Sequence, residues 1–186
     1  MTRTRLFVAL GLAAVLALGF FGYRTYTLQY GNEQLAAHYY KVRAPALPAV
    51  DTSAYAEGMR WLLEDGYSQA TAAFNRVART DPDYPSAQYF AGQAYYRNGQ
   101  LNAARSALLN ATDIGPSTIA PHAEWLLLLT YLKDGRTERE FFQLLDRLVI
   151  DTQHPFHARA KALREDFESP WRQRWETLTY GKRGTY

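Results

Sequence analysis

The 186-residue chain has no cysteine, which excludes disulfides, thiolate metal sites and lipid attachment to an N-terminal cysteine. It also lacks a dominant charge. Lys and Arg number 21 against 18 Asp and Glu, and the arginines are scattered instead of gathered in a run. A nucleic-acid surface needs a basic patch or stripe, so no nucleic-acid partner is expected. Signatures of catalysis are missing too. No glycine-rich loop offers to cradle a phosphate, since the glycines fall in turns or helix contacts. His154 and His157 are three apart, but Pro155 lies between them and no third metal ligand is evident. Asp81 and Asp83 flank Pro82 and read as a solvated, helix-capping turn, not an acid–base pair. The sequon Asn110-Ala111-Thr112 lies on a predicted helix and is read as chance. The expectation is therefore a non-enzyme with no metal, cofactor or small-molecule substrate. What the chain has in quantity is aromatic residues, 15 % of the total, led by 14 tyrosines.

Leu6 to Tyr23 carries no charge and is closed by Arg24. As a helix it spans about 27 Å at about 1.5 Å per residue, close to the hydrocarbon thickness of a bilayer. Arg3 and Arg5 precede it, which predicts a cytoplasmic N-terminus and a domain outside the cytoplasm, in the periplasm. A cleaved signal peptide is the alternative, with Ala17-Leu18-Gly19 as the cut. Phe20, Phe21, Tyr23, Tyr26 and Tyr30 resemble an interfacial aromatic belt and favour a retained anchor over residues 1–30. Residues 31–50 read as a linker. Gln34 to Tyr40 has room for a short helical turn, and the prolines of Ala44 to Val50 forbid a continuous helix.

Beyond the linker the chain repeats. Thirty-four residues separate Gly58 from Gly92, Trp61 from Tyr95, Ala70 from Ala104 and Pro82 from Pro116. A register shared by unlike residue types is the mark of stacked supersecondary units. The breaks predict helical hairpins over Thr52–Thr80, Pro85–Asp113 and Thr118–Ile150, turning at Asp65-Gly66, Asn98-Gly99 and Asp134-Gly135. In each second helix the apolar residues fall at i, i+3, i+4, i+7, as in Ala70, Ala73, Phe74, Val77, so one face packs on neighbours. A seventh helix, His154 to Phe167, has an apolar face of Phe156, Ala160, Leu163 and Phe167 and closes the stack. The fold class is all-α, a right-handed solenoid of about three hairpins plus a terminal helix over residues 51–167, preceded by one transmembrane helix.

These positions resemble the tetratricopeptide repeat family. Gly58, Trp61, Ala70, Phe74 and Pro82 fill its pattern once, and Gly92, Tyr95, Gly99, Ala104, Ala111 and Pro116 fill it again. A third, degenerate unit keeps Tyr131 and Gly135 but has Leu128 and Glu140 where small residues belong. The layout is similar to small bacterial membrane-anchored members of that family. The resemblance implies a protein-interaction scaffold, a subunit or assembly factor of a membrane complex, with a transient regulatory adaptor as the alternative. It also implies a groove lined by the first helix of each hairpin: Tyr55, Met59 and Leu62, then Tyr89, Gln93, Tyr96 and Arg97, then Trp125, Leu129 and Lys133. Tyr, Trp and Arg often dominate binding energy. The same stripe also reads as plain core, or as a groove filled by the chain's own linker or tail. Tyr55 and Met59 stand where carboxylate-gripping members hold Lys and Asn, so the expected contacts are mainly apolar. In the tail, residues 168–186, Trp171, Arg172, Arg174 and Trp175 form a docking element or else pack back on the last helices.

Overall fold

The structure, a computed structural model, describes residues 14–23, 31–41, 52–116, 118–137 and 139–174. Residues 14–23 are helical (α1) and exposed. Then come α2 (Asn32–Tyr39), α3 (Ala54–Leu63), α4 (Tyr67–Phe74), α5 (Tyr84–Arg97), α6 (Leu101–Ile114), α7 (Ala120–Lys133), α8 (Arg139–Ile150) and α9 (His157–Phe167). A further helical turn covers 170–174, and the described residues contain no strand. No helix among them is long and apolar enough to cross a membrane. The expected span, residues 6–23, lies outside the described residues over 6–13, as do most of the linker after Lys41 and Trp175 with the rest of the tail.

Consecutive helices from α3 to α9 pack on one another, and the first helices of successive hairpins touch as well, α3 on α5 and α5 on α7. That pattern is a stack of hairpins. Each hairpin turn is a Schellman motif. Gln100 N–H donates to the Tyr95 carbonyl and Gly99 N–H to Tyr96, with Arg136 to Tyr131 and Gly135 to Leu132 in the third hairpin. The left-handed position is taken by Gly99 (φ 74°) and Gly135 (φ 70°). In the first hairpin it is Asp65 (φ 57°), not the adjacent Gly66. Aspartate tolerates this conformation because its short polar side chain bonds locally, and here its carboxylate accepts from the Tyr67 hydroxyl and from Arg97.

Inside the hairpins glycine sets the spacing. A Cβ at Gly58 would stand 2.6 Å from the Phe74 ring, and one at Gly92 2.6 Å from Leu108 Cγ. The equivalent place in the third hairpin is Leu128, fully buried. That pair of helices cannot approach as the first two do. A cleft of about 360 Å³ opens between α6, α7 and α8, walled by Leu109, Leu127, Tyr131 and Leu144 among others.

Two expectations are corrected. The second helix of the first hairpin stops at Phe74, not Thr80, because the bonds tighten from Thr71 O–Asn75 N to the three-residue spacing of Ala73 O–Arg76 N and Phe74 O–Val77 N. Val77 is buried all the same. In the tail, Trp171 does not pack back. It is 58 % exposed, while Arg172 is buried at 1 %.

Candidate functional site

The linker contributes the element that organises the groove. Residues 32–39 form an eight-residue helix, shorter than an isolated helix needs to persist in water. Its stability comes from docking. Leu35 and Ala36 are buried in the same core as Trp125, Leu129, Leu132 and Tyr96, and α2 lies along α7. Burying one leucine side chain contributes about 1.5–3 kcal/mol, enough to offset much of the ordering of a short helix.

Both ends of α2 are tied down. At its start, Arg172 donates to Asn32 Oδ1. The same guanidinium lies 4.2 Å from the centroid of the Phe167 ring, at the C-terminus of α9, where helix carbonyls favour a cation. At its end, the Tyr39 hydroxyl donates to Asp166 (2.7 Å), and the Tyr39 ring meets Trp125 edge-on at 6.2 Å. Trp125 is stacked on its other side by Phe156, centroids 5.3 Å apart. The Tyr40 ring stacks on Tyr96 at 4.9 Å and 13°. Arg97 covers Tyr40 and Tyr67 at 5.8 and 5.5 Å and pairs with Asp65 at 3.0 Å. Lys133 Nζ sits 4.6 Å from the Tyr96 ring. Burial pushes the Tyr39 hydroxyl well above the ordinary tyrosine range, reinforced by Asp166. Burial likewise raises Tyr96, Tyr89 and Tyr40, with the Arg97 charge opposing the rise at Tyr40. These hydroxyls stay protonated; Tyr39 donates to Asp166, and the other rings serve as packing surface.

Gln93, Tyr96, Arg97, Trp125 and Lys133 thus converge around α2, and the groove of the second and third hairpins holds the chain's own linker. Leu129 is fully buried beneath it. Tyr89 is buried beside Phe90 and His122. Met59 and Leu62 belong to the core of the first hairpin, and half-buried Tyr55 packs at its edge against Phe74 and Phe90. Of the tail residues, Arg172 reaches the site, and Arg174 lies 5.4 Å from the Trp171 ring. Sequence reasoning passed over Leu35, Tyr39 and Tyr40. Their only signal is an apolar pair followed four residues later by an aromatic pair.

Outside the groove, Glu124 sits between two basic side chains. Glu124 lies 3.2 Å from His154 Nε2 and pairs with Arg147 (3.1 Å). His154 Nδ1 accepts the Phe156 N–H, so Nε2 carries the proton. The described residues hold no group of three or more potential metal ligands.

Residues 63–118 match the tetratricopeptide repeat family, and the chain carries that repeat. No curated protein and no solved structure matches the chain.

Proposed function

We propose that this tetratricopeptide repeat protein is a membrane-anchored, non-enzymatic scaffold for protein–protein interaction, a subunit or assembly factor of an envelope or membrane complex. Repeats of this kind present extended surfaces for partners. The observation that carries the reading is the groove itself: Tyr96 and Trp125 already hold a helix, α2, so this face is built to grip one. Its placement supports the anchor. Residues 24–31 alone separate the uncharged segment from α2, a reach of about 28 Å at most when fully extended. A retained span would therefore keep the repeats next to the bilayer, with the N-terminus cytoplasmic and the repeats periplasmic.

The test is purification of the full-length chain in mild detergent, with lysine crosslinking and mass spectrometry. Crosslinks from Lys133 or Lys182 to a stoichiometric membrane protein are expected. A partnerless monomer refutes the subunit reading. Substoichiometric, salt-sensitive capture would instead favour a transient adaptor.

A further inference from the structure

The end of the molecule where α2 begins carries an inverted pattern of burial. Pro170 opens a helical turn over 170–174, and Ser169 caps it. The Ser169 hydroxyl accepts from Arg172 N–H (3.4 Å) and its carbonyl from Gln173 N–H (3.1 Å). Gln173 Nε2 donates back to the Glu168 carbonyl at 3.2 Å. Arg172 fixes the turn to the body of the protein: its side chain is buried, donates to Asn32 and lies over the Phe167 ring. Its neighbour Trp171 is 58 % exposed, with the Arg174 guanidinium 5.4 Å from the indole ring. Water favours the reverse arrangement, with the charge outside and the indole inside. Phe142, which meets Phe167 edge-on at 5.7 Å, is also exposed, at 39 %. Two exposed aromatic residues therefore adjoin the buried contact between Phe167 and Arg172.

Asn32, the first residue of α2, is also where the chain arrives from the uncharged segment. Residues 24–31 separate the two, a reach of about 28 Å at most. Phe20, Phe21 and Tyr23, at the end of that segment, are exposed on α1. A lipid headgroup layer is the environment that suits an indole beside a cation. The ring meets the acyl boundary while the indole N–H and the guanidinium stay among phosphates and water. Resting on the membrane-anchored reading above, we infer that the 170–174 turn is a second membrane contact. Trp171 sits in the headgroup region of the leaflet from which the chain emerges, and Arg174 pairs with lipid phosphate. Arg172 serves this contact from inside the protein, because its bond to Asn32 keeps the indole beside the tether. Span and turn together hold the repeats in one orientation to the bilayer, which determines the face that a membrane partner meets.

The test uses the full-length chain in phosphatidylcholine vesicles whose acyl chains carry bromine either near the headgroup or near the chain end. Trp175→Phe removes one of the four indoles, and Trp171→Phe is then added to it. Trp61 and Trp125 are common to both variants, so their difference reports Trp171. Quenching should be strongest with bromine near the headgroup and should be lost with Trp171. Equal quenching with and without Trp171 overturns the inference. Arg174→Glu in the Trp175→Phe background should weaken the quenching, because phosphate repels a carboxylate. Unchanged quenching there overturns the pairing with phosphate. Crosslinked dimers through this turn, without quenching by lipid, would assign Trp171 to a second copy and overturn the membrane contact. Alkaline extraction of the same vesicles separates this inference from the anchor. A chain that stays in the membrane without Trp171 quenching keeps its anchor and loses only this contact, whereas a chain released at alkaline pH loses both.

Discussion

Replacing Gly92 with alanine should destabilise the protein, and the sign of that effect should reverse when Leu108 is shortened. Gly92 lies in the middle of α5, where alanine is intrinsically the better helix former by about 0.8–1 kcal/mol. On propensity alone the substitution stabilises. Packing opposes it: the new Cβ would stand 2.6 Å from Leu108 Cγ and 2.7 Å from Cδ2. Both atoms belong to a fully buried side chain on α6 that has no free space to retreat into. Overpacking of this kind costs about 1–3 kcal/mol, so after the propensity gain the net loss is up to about 2 kcal/mol. The melting temperature should fall by up to about 8 °C for a chain of this size. Leu108→Ala alone leaves a cavity and costs about 2–5 kcal/mol. In that background the Cβ at position 92 meets nothing closer than the Ala104 carbonyl oxygen at 3.5 Å, an ordinary contact. Gly92→Ala then recovers about 1 kcal/mol. Urea unfolding followed by circular dichroism on the four members of the cycle measures the coupling. If Gly92→Ala has the same effect in both backgrounds, the claim that glycine sets the hairpin spacing is wrong.

Three further outcomes are expected. Tyr89 and Tyr96 are held protonated above the tyrosine value of 10.0, chiefly by burial, so the unfolded chain loses these protons first. Stability from this source should be intact below about pH 10 and decline above it, which thermal melts between pH 8 and 11 would reveal. Tyr39→Phe removes the bond to Asp166 while keeping the ring on Trp125, and should cost about 0.5–1.5 kcal/mol by urea unfolding. Gly99→Ala places a side chain at φ 74° and should cost about 1 kcal/mol, with no compensating contact because nothing lies within 4 Å.

The repeat was legible because its determinants are local and recur. Gly58 and Gly92, with Phe74 and Leu108 opposite, keep a fixed interval, and the apolar spacing of α6 and α8 names their buried faces. The turns were legible to within a residue. Which residue of Asp65-Gly66 takes the left-handed conformation was not legible: it is Asp65, while Gly66 has φ −78°. The early end of α4 depends on a change of hydrogen-bond spacing that no residue announces. The occupant of the groove was legible only as one alternative, the chain's own linker or tail, and its contacts were not legible at all, for a different reason. Asn32 and Arg172 are 140 positions apart, and Tyr39 and Asp166 are 127 apart. No periodicity links them. The stripe of Tyr96, Trp125 and Lys133 showed that something apolar belongs on that face, but an eight-residue segment is too short to declare itself the occupant. In the tail, two tryptophans suggested burial by hydrophobicity, yet of the described tail residues Trp171 is exposed and the buried side chain is Arg172, beside the Phe167 ring at the end of α9.

The measurement that bears most directly on the account is amide hydrogen exchange across α2 in the full-length chain. An eight-residue helix on its own is too short to protect its amides. Docked in the groove, the amides from Leu35 onward, beginning with the Leu35 N–H to Gly31 carbonyl bond, are expected to exchange orders of magnitude more slowly than an unstructured chain. Protection there means the linker occupies the groove of the second and third hairpins. Exchange at unstructured rates through residues 35–39, with α5 and α7 protected, would mean the groove stands open and the account of its occupant is wrong.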